Sequence, residues 1–458
     1  MKISTQITAA LLAVGIVSQA SAFDPVVYLT GSTAFRSTVE SALANNTGPA
    51  NGGVFDAGTV TFGTWGSSSA SSANYMVFHG TISGNGVFVN CAWSGSEAGI
   101  ASACNTTLGN TDRNGNPITL AGSPETWIIA TNATLAAAPG GNVQSGNPGP
   151  NGSPANGAQL EAAPHGADLA QADTSQAVSW TPFVANTQTA LKDYGTGAGE
   201  GVVTFTWTRN VQFPGATSNE WLHCNNITLP QINVLLADGV VPAGFISGKT
   251  NDNDFTVYLV GRNRGSGTRM NILADSTYGA HNTVQQYSIG YGIEASEPQT
   301  VGVLWLTNEN NGGYESGGGV AKALSNTASN MLCSCQQPDP FNGGVGWFAL
   351  GYLSPSDALN VTGNNGGEPT NNWVTVDGVF SNNGNIENGA WWYWGHEHLY
   401  GKYQISGIQD TAGNALFNAI QTTLAHSGFG TDPLGHDPGI PYALMNVHKT
   451  SDVSFPTF

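Results

Sequence analysis

The sequence predicts an α/β protein, because one local design recurs three times along it: a short apolar run, a glycine turn, then helical spacing. In the first copy, Val26 to Leu29 is β-rich and Gly31-Ser32-Thr33-Ala34-Phe35-Arg36 follows at once. Phe35, Val39 and Leu43 then recur at intervals of four, which reads as a helix over Thr33–Leu43. In the second, the run Val87 to Trp93 leads to Gly95-Ser96-Glu97-Ala98-Gly99-Ile100. The third is the clearest: Phe255 to Val260 is β-rich, and Arg262-Asn263-Arg264-Gly265-Ser266-Gly267-Thr268 opens a helical stretch over Arg269–Ala274. Such units place their functional loops at the carboxyl ends of the strands.

Composition narrows the class of partner. The 458 residues hold 12 Lys+Arg against 30 Asp+Glu, a formal net charge of −18, and only 9% are charged. Soluble domains usually carry roughly 25%. With 61 glycines and abundant Asn, Ser and Thr, uncharged polar surface takes the place of charged surface, a habit of exported proteins. Hydrophobic residues at 40% suffice for real cores, and the length suggests two or three domains. A pI near 4.6 repels nucleic acid and anionic membrane surfaces, so neither is expected as a partner.

Residues 1–22 read as a secretory signal: Lys2, an apolar run from Ala9 to Ile16, and the A-x-A site Ala20-Ser21-Ala22. Cleavage after Ala22 would give a periplasmic or secreted protein beginning at Phe23. No later stretch approaches the roughly 20 apolar residues that span a bilayer, so membrane insertion is not expected. In an oxidising compartment Cys91, Cys104, Cys224, Cys333 and Cys335 are expected to form one or two disulfides, Cys91 with Cys104 being a plausible local staple. Between about 105 and 160 the composition changes. Pro139 to Ala158 has no charge and only Val143 as a large aliphatic, which reads as a solvated insertion without a core of its own. The Asn/Gly patch at 362–372 reads as a surface loop.

A Gly-Ser turn opening a helix leaves several main-chain N–H groups without partners, and the helix dipole adds positive charge there. One such turn is ordinary capping. The arginines make the third turn different: the chain has six, and Arg262, Arg264 and Arg269 are three of them within eight residues. Each charge-assisted hydrogen bond is worth about 1.5–3 kcal/mol, so a few would reach the roughly 8 kcal/mol of micromolar binding.

At these residues the chain resembles the periplasmic phosphate-binding proteins of phosphate ABC transporters, a branch of the type II solute-binding fold. Arg262-x-x-Gly265-Ser266-Gly267-Thr268 is similar to the family's Arg-x-Asp-Gly-Ser-Gly-Thr, and Gly31-Ser32-Thr33 to its first Gly-x-Thr turn. Gly95-Ser96-x-x-Gly99-Ile100 resembles its second Gly-Ser turn, and Asp168 to Asp173 its Asp-x-Gly-x-Ser-Asp segment. Gly343 to Tyr352 looks like its late Gly-Tyr strand. The resemblance implies a two-lobe α/β fold with a hinge, a large loop insertion in the first lobe, and an anion held between the lobes. It further implies that Thr33 and Ala34 donate from one helix start and Ser96 from a second. Arg262 would supply the charged fork, and Ser266, Gly267 and Thr268 would complete the cage. Asp173 would accept a proton from the ligand, which favours phosphate over sulfate, because only phosphate carries an O–H near neutral pH. Its implied partners are phosphate or a related oxyanion and an ABC transporter permease. Two positions depart from the pattern: Arg264 stands where the family has an acid, and Glu97 where it has a small residue.

The corresponding division is a signal over 1–22, a first lobe from 23–208 completed by the return segment 354–458, and a second lobe over 209–353. Hinge crossings fall near Arg209 and Leu353. Arg36, one turn into the first helix, reads as solvated, and Asp173 taken alone would be a loop or capping acid. Trp391-Trp392-Tyr393-Trp394-Gly395-His396-Glu397-His398 reads as aromatic core packing. Alternate residues of a strand share a face, so His396 and His398 could meet at a metal, but no third ligand follows at a telling spacing. No Gly-x-Ser-x-Gly elbow and no His-Glu-x-x-His occurs, and His165 pairs with Ser96 only by assumption. The sequence is therefore read as a binding protein without catalytic residue, metal or cofactor. Its rival reading is a secreted surface or structural protein that keeps this fold without ligand transport.

Overall fold

The computed structural model describes residues 24–104, 127–130, 135–179, 190–195, 200–210, 222–291, 312–325, 347–361, 372–425 and 439–457 apart from 453 and 455. It also describes the short strands Asn110–Thr111, Pro117–Ile118, Val301–Leu306 and Asn330–Cys333. The expected leader, Gly343–Gly346, Cys335 and nearly all of the 362–372 patch lie outside these residues.

Two mixed sheets organise the chain, as a two-lobe α/β fold requires. In the first, Val26–Gly31 lies between Leu169–Ala172 and Asn85–Ala92 and runs parallel to both. Tyr75–Ile82 and Thr61–Trp65 extend the sheet antiparallel beyond Asn85–Ala92. On the other side, Trp394–Gly401 pairs antiparallel with Leu169–Ala172 and also receives Lys192–Asp193 and Gly201–Thr204. The central strands are apolar on both faces because helices cover both. Arg36–Ala44 and Gly407–Ala425 bury Val39, Leu43, Leu416 and Ile420 against Val27, Leu29, Val89 and Cys91. Ser96–Ala103 buries Ile100 and Ala103 against Ala170, Ala172 and Tyr400 on the opposite face.

That arrangement corrects the expected staple. Cys91 belongs to the first face, whereas Cys104 ends the helix on the second, so the sheet stands between the two thiols. Among the described residues Cys91, Cys104 and Cys224 form no disulfide. Cys104 instead accepts a hydrogen bond from Gln176 Nε2 at 3.7 Å.

The second sheet has the order Asn226–Ile227, Trp373–Val376, Thr206–Arg209, Trp347–Leu353, Thr256–Val260, Val240–Pro242. Thr256–Val260 and Trp347–Leu353 are parallel. Helices Leu229–Asp238, Gly267–Asp275 and Gly317–Leu324 follow strands or turns of this half. Each has a polar start: Thr228 and Gln231 form a capping box, Ser266 Oγ accepts from Arg269 N at 3.2 Å, and Ser316 Oγ from Gly319 N at 3.1 Å.

The chain leaves the first sheet after Thr204 and joins the second at Thr206. It returns between Val376 and Trp394 rather than near Leu353, because Trp373–Val376 pairs with Thr206–Arg209 in the second sheet. The aromatic stretch packs at this crossing: Trp391, Tyr393 and Trp394 are buried, Trp207 stands 6.3 Å from Tyr393, and Trp391 Nε1 donates to Phe205 O at 2.9 Å. Part of the 105–160 segment docks on the first sheet. Ala136–Ala137 and Asn142–Gln144 pair with the edge strand Thr61–Trp65, and Trp65 Nε1 donates to Asn156 O at 3.0 Å. Poor in large apolar residues, the segment shares a small cluster with Trp65 and Val77.

Candidate functional site

The turns singled out by sequence lie at the carboxyl ends of parallel strands from both sheets. Gly31-Ser32-Thr33 follows Val26–Gly31, Ser94 to Ser96 follows Asn85–Ala92, and Asp173 follows Leu169–Ala172. From the second sheet, Arg262 to Thr268 follows Thr256–Val260; Ser354 to Asp357, a turn the sequence did not single out, follows Trp347–Leu353. Open α/β sheets bind their ligands at such ends.

Asp173, 1% exposed, joins the two halves. Ser96 Oγ donates to its Oδ1, Thr268 Oγ1 donates to its Oδ2 at 3.2 Å, and Asn271 Nδ2 donates to its main-chain oxygen at 2.6 Å. Gly267 permits this approach, since a Cβ there would overlap the Asp173 carboxylate. Burial pushes the Asp173 carboxyl above its ordinary value, while the Ser96 hydroxyl, the Arg262 charge and the Thr268 hydroxyl oppose the shift.

Around it stand charges that burial makes costly. Arg262 is 2% exposed, and its guanidinium donates to Glu315 O at 2.9 Å. Burial lowers its affinity for its proton, and the negative charges of Asp357 and Asp173 offset this. Arg36 is buried in the same field: desolvation lowers it, Asp357 raises it, and Arg262 opposes it as a like charge. The expectation of a solvated Arg36 is therefore corrected. The first helix begins at Arg36 itself, after a turn that is buried throughout, and the arginine Nε donates to Ser71 O at 3.0 Å. Asp357 sits against the start of helix Gly317–Leu324, where a Cβ on Gly317 would overlap it, and Ser354 Oγ donates to it at 3.1 Å. Neither Arg36 nor Asp357 has a motif that would have revealed this meeting.

The remaining expected residues fall into two groups. Ser96, Asp173, Gly267 and Thr268 touch one another, while Ser266 caps its own helix. Thr33 and Ala34 are buried in the turn after Gly31, and among the described residues Thr33 Oγ1 makes no hydrogen bond. The start of helix Ser96–Ala103 is already occupied: Glu97 N and Ala98 N donate to Gly265 O at 3.0 and 3.4 Å. Ser96 thus contributes its side chain to Asp173, while the N–H groups of Glu97 and Ala98 bond the loop from the second sheet. The two departures from the family pattern compensate each other. Burial and Arg269 press Arg264 down to about 10, and the Glu97 carboxylate supports its charge. Glu97 in turn accepts from Thr174 Oγ1 at 2.6 Å.

Asp168 lies at the other end of its strand, accepting from Tyr28 N at 3.1 Å and from Lys402 at 2.5 Å, so it is remote from the group around Asp173. His165 Nε2 is 3.0 Å from Glu161, and Ser96 has Asp173 rather than an imidazole as its partner. His396 and His398 stand on one face of Trp394–Gly401, where Asp452 reaches them from the C-terminal segment. No helix among the described residues is long and apolar enough to cross a membrane.

No family model and no curated protein matches this chain. Solved structures similar to it include the following two. One, from Clostridium perfringens, is described as a phosphate ABC transporter substrate-binding protein with bound phosphate. It has 13% identity and a TM-score of 0.40, over 86% of this chain and 92% of that one. The other is PstS from Borrelia burgdorferi, with 9% identity and a TM-score of 0.30, over 85% of this chain and 91% of that one. At these scores the site is read from this chain's own geometry.

Proposed function

We propose that this chain is an exported solute-binding protein that captures phosphate or a related oxyanion between its two sheets, for delivery to an ABC transporter permease. The observation that carries the reading is a pair of buried donors left unanswered at the strand ends. Arg262 Nε and Thr33 Oγ1 are buried and make no hydrogen bond among the described residues. They lie at strand ends where the Arg36 charge acts on Arg262 and where two helices begin. Buried donors without acceptors are unfavourable, and an oxyanion relieves them. In this reading Arg262 is the charged fork, and Thr33, Ala34, Ser266, Gly267 and Thr268 surround the anion. Ser96 and Asp173 close the cage, Asp173 accepting the O–H that phosphate carries and sulfate lacks.

A second reading, a surface protein that keeps the fold without transport, draws support from one feature. Ser96, Asp173 and Thr268 satisfy one another, and Gly265 O occupies two N–H groups of a helix start. Calorimetric titration of the ligand-stripped protein with phosphate and sulfate separates the two. Transport predicts phosphate binding at micromolar strength or better, little heat with sulfate, and a loss of about 100-fold or more in Arg262→Ala, the worth of one or two charge-assisted bonds. Absence of heat with either anion would favour the surface protein.

A further inference from the structure

The pair His396 and His398 gains in the fold what it lacks in the sequence, a third ligand. Both lie on the buried face of strand Trp394–Gly401, 3% and 4% exposed, and Asp452, 3% exposed, enters from the C-terminal segment. Asp452 Oδ1 is 2.9 Å from His396 Nδ1, and its Oδ2 is 3.5 Å from His398 Nε2. One donor atom from each of the three residues can be chosen so that all lie within 4.8 Å of one another. Two donors on a tetrahedral zinc ion stand about 3.4 Å apart, given bond lengths of about 2.0–2.1 Å, so the cluster needs only small adjustment.

The surroundings also suit a cation. His398 Nδ1 is 3.2 Å from Asp193 Oδ2, the carboxylate–imidazole arrangement that orients a metal-binding histidine and leaves its Nε2 for the ion. That Nε2 and His396 Nε2 are buried and, among the described residues, without a hydrogen bond. Glu200 and Glu397 are buried close by, each in the electrostatic field of the cluster. Among the described residues no Lys or Arg pairs with Asp193 or Asp452. A buried site with two imidazoles, a carboxylate and a surplus of acids is chemistry for a borderline divalent ion.

We propose that His396, His398 and Asp452 bind a divalent transition-metal ion of the zinc type, with Asp193 positioning His398. The ion clips the C-terminal segment to the first sheet. Asp452 Oδ2 also accepts from Ser175 N at 2.7 Å, so the same clip holds the turn that follows Asp173. This site stands independently of what the anion cluster binds.

The test uses the purified protein, stripped with a chelator and titrated with Zn²⁺ alone in anion-poor buffer, with Co²⁺ as a spectroscopic probe. One equivalent of Zn²⁺ is expected, with a rise in melting temperature that the chelator reverses. Visible Co²⁺ bands of a low-coordinate nitrogen–oxygen site should accompany it. His398→Gln should abolish stoichiometric uptake, and Asp193→Asn should weaken it about 10- to 100-fold while leaving the Co²⁺ band positions in place. If His398→Gln does not fold, Asp193→Asn and the Co²⁺ spectrum decide. No stoichiometric uptake, or uptake that Asp193→Asn leaves unchanged, would overturn the proposal and leave an imidazolium held by two carboxylates.

Discussion

The two ends of helix Gly267–Asp275 treat buried charge in opposite ways. At its C-terminal end Asp275 meets Lys449, both fully buried, with Nζ 2.6 Å from the carboxylate. The ammonium also bonds Trp394 O and lies 4.7 Å from the Trp394 ring centroid. At its N-terminal end Arg262 is equally buried, yet among the described residues Nε has no partner, and Asp173 is shared by hydroxyls from both sheets. The lesson is that burial alone does not mark a binding residue. Lys449 is answered by its own chain and serves the fold, whereas Arg262 keeps unanswered capacity where two sheets meet.

The largest effect should come from breaking the answered pair. Lys449→Met leaves Asp275 buried and alone, and should cost about 3–5 kcal/mol in denaturant unfolding. Adding Asp275→Leu should recover most of that loss. A cost below about 1 kcal/mol for the single variant would erase the contrast between the two ends. Asp173→Asn comes next and should act on selectivity. The protein stays folded, and the preference for phosphate over sulfate narrows about tenfold or more in calorimetry. The wild-type preference should also narrow as pH falls, because protonated Asp173 loses its charge and gains an O–H donor that suits sulfate as well as phosphate. Burial raises this carboxyl, so the loss should begin above the ordinary carboxylate range. A preference unaffected by both changes would remove Asp173 from the role of discriminator. Smallest is Ser266→Ala, which deletes the cap accepting from Arg269 N and should cost about 1 kcal/mol by thermal unfolding.

Local signals made much of this legible in the sequence. Strand Thr256–Val260, the turn at Gly265 to Thr268 and the helix after it follow from β-rich residues, glycines and a serine cap within twenty residues. The helix expected over Thr33–Leu43 forms as Arg36–Ala44, its start delayed by the buried turn that carries Thr33. What stayed hidden depends on pairings between distant segments. Asp357 meets Arg262 only because two parallel strands end side by side, and Arg36 joins them from the other sheet. Asp452 lies 56 positions after His396, beyond any ligand-spacing rule. The Cys91–Cys104 staple failed for the converse reason: proximity in sequence says nothing about which face of a sheet each thiol occupies.

Strand Thr61–Trp65 would end the first sheet with its main-chain groups open to another molecule, a template for self-assembly into fibres. Many proteins protect such a border with lysines, but this chain has six in all and none between Val60 and Trp65. It uses its own backbone instead, in Ala136–Ala137 and Asn142–Gln144. A segment whose side chains carry little information therefore has a colloidal duty. Its glycines are not exchangeable, since a Cβ on Gly141 would overlap the Phe62 ring, and its removal would bare the main-chain edge of Thr61–Trp65.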